Sequence, residues 1–374
     1  MRSRGLPAAK AAGTNVQSPP CAGLGSGICW AGAWVVCVWF VCSATGATAA
    51  ERVPQVALQA ISGIADDAPP EVLRNVDQKS VGEHYLWSNE RNLHLFEPTV
   101  RDRRGVLIGV GTDQMYTLAG WQDPDLLLLT DYDPWVKHIH RAYFALLAPS
   151  ATPKAFIARW SPAQRKDSTE LLRTAGADAS GLRLFAQAGG RIHWQFVRIQ
   201  AEMRKAKVAC WLTDQTQYDR VRALVVEGRA KALQADWTKS GAMPALLEAL
   251  RKHGLVVQIA YLSNAEDYLQ PYPPVFRQIV RAIPASDDSW WLRTQATGRS
   301  SIDLRYNIQR IKHFANWLGH PQVRSNRQIA ARPPGATYDT VQFTETKVAE
   351  PPAWLLKLPA PKGKGRTTPA APAR

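Results

Sequence analysis

At 374 residues the chain has room for two average domains or for one large α/β domain with tails and insertions, and its element pattern favours the single domain. The formal charge of +15 comes without the combined aromatic and basic signature of the known nucleic-acid modules, which sets specific nucleic-acid binding aside. Cys21, Cys29, Cys37 and Cys42 crowd into the N-terminal segment and leave Cys210 alone in the rest, so no intramolecular disulfide is expected to staple the domain.

Residues 1–49 read as a signal peptide. Arg2, Arg4 and Lys10 precede an apolar stretch, 28–42, and Ala47, Thr48 and Ala49 form a small-residue cleavage site. The stretch is about 15 residues, shorter than the roughly 18 to 20 that span a bilayer, so cleavage and export to the periplasm or beyond is the expectation, with an N-terminal inner-membrane anchor as the alternative. Removing these residues, which carry three basic and no acidic side chains, lowers the charge to +12. Lipidation is not expected, because Val36 and Val41 stand where a small residue would precede the modified cysteine.

Residues 50–81 form a lead-in segment in which Pro69 and Pro70 break a short helical pattern. The following stretch contains Ser88, Asn89 and Glu90, polar residues placed directly before the first strand. It either folds over a ligand crevice or caps a helix with Ser88 or Asn89.

The chain is organised around residues 105–147. A short apolar run, 106–108, ends in Gly109 and Gly111, and Met115, Leu118 and Ala119 then follow at helical spacing. A pattern that switches from strand to helix across two glycines begins a nucleotide-binding βαβ unit. The second strand, 126–130, ends in Asp131, twenty residues beyond Gly111, where a carboxylate can accept hydrogen bonds from both hydroxyls of a ribose. The next helix opens with Asp133 as N-cap and Pro134 at its first position, and Val136, Ile139, His140, Tyr143, Phe144 and Leu147 share one face.

Two helical stretches follow, roughly 163–174 and 191–206, in a connection longer than a crossover needs; they are expected to form an insertion shaping one side of the site. A short strand over 231–236 ends in Asp236. A helix from Ser240 is closed by Gly254, and a near-continuous apolar strand, 255–261, ends in Tyr261 before the polar cluster of Ser263, Asn264, Glu266, Asp267 and Tyr268. A helix from Val275, strands over 289–295 and 302–308, the latter carrying Tyr306, and a helix to Leu318 complete the domain, 82–320. Residues 321–374 turn to proline, alanine, threonine and lysine and are expected to be a mostly disordered tail. Its basic residues suit weak contact with anionic surfaces, although solubilisation is the simpler role.

The fold expected is therefore α/β, a doubly wound, mostly parallel Rossmann-like sheet with helices on both faces. The series of Gly109 and Gly111, Asp131, Asp236 and then Ser263 with Asn264 resembles the motif order of the Rossmann-like S-adenosylmethionine-dependent methyltransferases. Within that superfamily the chain looks most similar to a family of uncharacterised exported bacterial proteins that share a Ser-Asn-Glu stretch and a Gly-x-Gly-x-x-Gln turn, here Ser88, Asn89 and Glu90 with Gly109, Gly111 and Gln114. The resemblance implies S-adenosylmethionine as cofactor. It sets its amino-acid part at the glycine turn, its ribose on Asp131, its adenine near Asp236 and its methyl toward the loop of Asn264. Gln114 occupies the position of the third glycine of a dehydrogenase fingerprint, which disfavours NAD.

A sulfonium methyl is already activated, so such an enzyme mainly aligns a nucleophile and excludes water; a base is needed only for a poor nucleophile. Asn89, Glu90, Tyr261, Asp267 and Tyr306 are the substrate-side candidates; Asp267, Tyr261 and Tyr306 are the candidate bases, and the sequence does not choose among these three. Export conflicts with this chemistry, since S-adenosylmethionine is made in the cytoplasm. A catalytically inactive binding or scaffold protein of the cell envelope is accordingly the competing expectation. No metal is expected: His138 and His140 lie two apart on one helix and face apart, and no His-Glu-x-x-His, Walker loop or Gly-x-Ser-x-Gly elbow occurs.

Overall fold

A computed structural model describes residues 52–73, 85–296, 304–330 and 343–357; the expected signal peptide and the last part of the expected tail lie outside them. Among the described residues seven strands, β1 (Val106–Gly109), β2 (Leu126–Asp131), β3 (Ala230–Gln234), β4 (Val257–Tyr261), β5 (Trp290–Ala296), β6 (Leu304–Arg310) and β7 (Phe343–Thr346), form one sheet in the order β3-β2-β1-β4-β5-β6-β7. The first five are parallel to one another, β6 is antiparallel to β5, and β7 is parallel to β6. The order 3-2-1-4-5 is that of doubly wound α/β folds, whose ligands bind beyond the strand ends where the winding reverses, here between β1 and β4.

Burial on both faces dictates the strands. In β1 and β2, Leu107, Leu127 and Leu129 enter one core and Val106, Ile108, Leu126 and Leu128 the other, the period-two alternation that a sheet covered on both sides requires. The first core is closed by α2 (Glu97–Val100), α3 (Asp113–Gln122), α4 (Pro134–Leu147), α5 (Pro153–Arg159), α6 (Arg165–Thr174), α7 (Ala179–Ala206) and α8 (Gln215–Val226). The second is closed by α1 (Gln55–Ser62), α9 (Ala242–Lys252), α10 (Pro274–Ala282), α11 (Ile311–Trp317), α12 (Asn326–Ile329) and α13 (Ala353–Leu356). No helix among the described residues is long and apolar enough to cross a membrane.

The glycine-centred unit forms as its residues dictate. The Asp133 carboxylate accepts from Trp135 N at 2.9 Å at the start of α4, and Val136, Ile139, His140, Tyr143 and Leu147 are buried, with Leu146 buried and Phe144 only partly so. The long β2-to-β3 connection is a helical insertion, α5 to α8. Aromatic packing fastens it: Tyr116 of α3 stacks on Tyr143 at 4.7 Å and on Trp211 at 5.5 Å, and Phe196 of α7 meets Tyr143 edge-on at 5.6 Å.

Two expected boundaries move outward. The lead-in is part of the fold: Val53, Ala57, Leu58 and Ile61 are buried in the second core, and Lys231 of β3 donates to the carbonyls of Ile61 and Ser62 at the end of α1. The domain also runs past residue 320. Asn307 of β6 donates to Thr344 O and Thr346 Oγ1 of β7, Ser325 and Gln328 form a capping box on α12, and Leu355 is fully buried. These pieces are short and separated by prolines, so no periodic stripe announces them.

Candidate functional site

A cavity of about 390 Å³ opens beyond the C-terminal ends of the parallel strands, a size that suits a small organic ligand. Val110, Gly111, Thr112 and Gln114 line it after β1, Asp131 and Tyr132 after β2, Ala235, Asp236 and Trp237 after β3, and Leu262, Ser263, Asn264 and Ala265 after β4. Tyr85, Trp87, Ser88 and Asn89 supply a wall from the chain before β1. The cavity thus brings together Asn89, Gly111, Gln114, Asp131, Asp236 and Asn264 of the residues expected from sequence.

The glycine turn is built for close approach and then filled by the protein itself. A Cβ at Gly109 would lie 2.4 Å from the Tyr261 carbonyl oxygen, so this glycine lets β1 and β4 approach and stands below the cavity rather than in its wall. Gly111 has φ +89, a conformation that favours glycine, and a Cβ there would meet the Gln114 amide at 2.0 Å. Gln114 folds back over the turn and its Oε1 accepts from Thr112 N at 3.0 Å. The carboxylate of Asp131 accepts from Gly111 N at 3.2 Å and from Asp133 N at 3.0 Å. Burial, reinforced by the neighbouring charge of Asp133, pushes the Asp131 carboxyl up to about 7, against the pull of these N–H donors.

A buried histidine fixes the turn from beneath. His140 Nε2 is 2.9 Å from Gly111 O, and Nδ1 is 2.9 Å from the Tyr116 hydroxyl. A carbonyl only accepts, so Nε2 carries the proton and Tyr116 donates to Nδ1. Burial holds His140 down to about 3, which keeps the ring neutral.

The segment that carries the wall, residues 85–90, is irregular chain strapped to the helices, with no helix starting at Ser88 or Asn89. Ser88 N donates to Asp113 Oδ1 at 2.6 Å, and Ser88 O accepts from Gln195 Nε2 at 3.0 Å and Arg198 Nη2 at 2.8 Å. Gln195 also donates to Asp113 Oδ2 at 3.1 Å. The insertion helix α7 therefore holds the wall. Neither Gln195 nor Arg198 carries a sequence signal, because each meets Ser88 more than 100 residues away.

Four substrate-side candidates stand outside the cavity. Glu90 is buried behind it, accepting from Ser263 Oγ at 2.8 Å, from Thr294 Oγ1 at 2.7 Å and from the Tyr261 hydroxyl; desolvation raises its carboxyl above the ordinary value. Tyr261 is fully buried at that bond. Tyr306 accepts from Asn92 N at 2.9 Å and packs edge-on to Phe96 at 5.3 Å. Asp267 joins the end of β5 to α12, accepting from Ala296 N at 3.0 Å and Asn326 Nδ2 at 2.8 Å.

Asp236 lines the cavity with its Oδ1 accepting from Thr238 N at 2.8 Å, while its own N–H donates to Asp67 Oδ2 at 2.8 Å. Trp237 donates through Nε1 to Thr130 Oγ1 at 3.1 Å, which turns the indole into a wall and leaves the cavity open as far as Asn264. Ser263, which stands beside Asn264 in the motif series, has φ +50 and lines the cavity as well. Among the described residues no group of three or more His, Cys, Asp and Glu side chains is placed to hold a metal ion.

The family model described as Domain of unknown function (DUF7790) matches residues 85–345. The chain belongs to this family. The DUF7790 match begins at Tyr85, the first residue of the strapped wall, and ends at Glu345 within β7, so wall, cavity and the sheet as far as Glu345 fall inside it. No curated protein matches the chain.

Proposed function

We propose that the domain binds S-adenosylmethionine or a closely related nucleoside in this crevice and transfers its methyl group to an acceptor still to be identified. The observation that carries the reading is the meeting of the Gly111 turn and the Asp131 carboxylate in one open cavity at the β1/β4 switch point. The Asp131 carboxylate accepts backbone N–H groups of Gly111 and Asp133 on separate oxygens, and a carboxylate has about four lone-pair sites, so capacity remains for a ribose hydroxyl. Asp236 and Asn264 lie at the cavity ends of β3 and β4, where the resemblance to methyltransferases sets adenine and methyl group.

A second reading, a methyltransferase fold that binds without transferring, is favoured by a specific observation. Asp267, Tyr261 and Tyr306, the candidate bases, are engaged in bonds outside the cavity. Transfer then suits only an acceptor that needs no base. An exported location, which we carry as part of the proposal, favours the same reading because the donor is made in the cytoplasm.

Calorimetric titration of the full chain with S-adenosylmethionine, beside Asp131→Ala, tests the binding. Micromolar affinity lost in the variant supports it, and no heat from a folded sample refutes it. Methyl-labelled donor incubated with candidate acceptors then separates transfer from binding.

A further inference from the structure

The crevice departs from a nucleotide site in its charge. Although the chain carries 46 lysines and arginines against 31 aspartates and glutamates, the described residues lining the cavity include two carboxylates, Asp131 and Asp236, and no lysine, arginine or histidine. A phosphate-bearing ligand would bring two or more negative charges into that field.

Backbone donors at the turn and the wall are engaged as well. Phosphate sites at glycine turns work through N–H groups aimed at the ligand. Here Gly111 N donates to Asp131, Thr112 N to Gln114 and Ser88 N to Asp113. The protein's own acceptors occupy these three donors.

The same walls are rich in aromatic side chains. Tyr85, Trp87, Tyr132, Trp237 and Tyr268 all line the cavity. Tyr85 and Tyr268 are the most open of these rings, 36% and 39% exposed. Aromatic faces beside carboxylates are the arrangement that attracts organic cations, above all those too alkylated to donate hydrogen bonds.

We propose that the crevice selects a phosphate-free organic cation, with the positive centre held against Tyr85, Tyr132 and Tyr268 beside Asp131. The inference rests on the nucleoside reading for the rest of the ligand and adds a rule of selectivity: the sulfonium form is preferred to its neutral thioether. S-adenosylmethionine binds more tightly than S-adenosylhomocysteine, and ATP and NAD are rejected.

Calorimetry on the full chain with S-adenosylmethionine, S-adenosylhomocysteine, ATP and tetramethylammonium decides it. The expected result is a preference of about tenfold for S-adenosylmethionine over S-adenosylhomocysteine, between the sizes of an exposed and a desolvated cation–π contact, with no heat from ATP. Tyr268→Ala reduces that preference to about twofold or less, and Tyr268→Phe, which keeps the ring, preserves it. Circular dichroism confirms that both variants are folded.

Equal or tighter binding of S-adenosylhomocysteine, or tight binding of ATP, overturns the selectivity and leaves the nucleoside reading standing. Saturable binding of tetramethylammonium, lost in Tyr268→Ala, with neither nucleoside bound, supports the cation site and refutes the nucleoside reading. No binding of any of the four to a folded chain overturns both.

Discussion

His140 donates from Nε2 to the carbonyl oxygen of Gly111 at 2.9 Å, so a neutral ring on α4 sets the conformation of the turn that ends β1. Truncation to alanine leaves that carbonyl and the Tyr116 hydroxyl without their partner and opens a void. His140→Ala is expected to destabilise the chain by about 3 kcal/mol, read by urea denaturation. The ring also sets a pH slope. Its folded value, about 3, lies below the ordinary 6.5. The unfolded chain therefore takes up the proton first, and stability present above pH 6.5 is lost as the pH falls toward 3. His140→Gln removes that slope; an unchanged acid limb would show that the ring is protonated in the fold.

Asp131 works in the opposite sense. Its folded value of about 7 exceeds the ordinary 3.8, so the folded chain holds the proton more tightly, and stability present below pH 4 is lost as the pH rises through 7. Asp131→Asn is expected to melt higher relative to the parent at pH 8 than at pH 5, although it binds ligand more weakly. Binding through ribose hydroxyls requires the carboxylate. Affinity for S-adenosylmethionine should then rise with pH across 7 in the parent and stay flat in the variant.

Glu90 is surrounded by hydroxyls of Ser263, Thr294 and Tyr261, all of which donate to it. Removing the acceptor in Glu90→Ala strands these three buried donors and takes away the partner of the Ser88 hydroxyl, a loss of about 3 to 5 kcal/mol. Glu90→Gln keeps one acceptor oxygen and should lose less than half as much. Equal losses in thermal unfolding would mean that shape, rather than the hydroxyl ring, is what Glu90 supplies.

Gly109 and Gly176 separate close approach from backbone conformation. At Gly109 a methyl group would meet the β4 backbone at 2.4 Å, whereas at Gly176, with φ +79, nothing lies within 4 Å. Gly176→Ala costs only the left-handed conformation, about 1 to 2 kcal/mol. Gly109→Ala must push two central strands apart and should cost at least about 3 kcal/mol by denaturant titration.

How far the sequence reached follows from the kind of contact involved. Local patterns made the central unit legible: two glycines between an apolar run and a helix, Asp131 at the end of the next run, and Asp133 with Pro134 at a helix start. The reading stopped where function depends on long-range pairing. Nothing near Gln195 or Arg198 announces that they hold Ser88, and nothing near Asp67 announces that its carboxylate accepts from Asp236 N and Ala242 N. Tyr261 and Tyr306 look equally suited to chemistry and to packing in one dimension, and only the strand register turned them toward Glu90 and Phe96 rather than the cavity.

The strap on Ser88 makes the crevice wall a property of α7. Gln195 and Arg198 both donate to Ser88 O, while Asp113 holds Ser88 N from α3. Replacing Gln195 and Arg198 together by alanine removes the carbonyl's donors and leaves β1, β2 and β4 untouched. Loss of two such bonds, each about 1 kcal/mol, should speed amide exchange at Ser88 and Glu90 by about tenfold or more, with exchange in β1 unchanged. Because Trp87 and Asn89 ride on the same segment, ligand affinity should weaken in parallel. Faster exchange with unchanged affinity would mean that the wall closes on the ligand without the strap, and unchanged exchange would mean that Asp113 alone holds it.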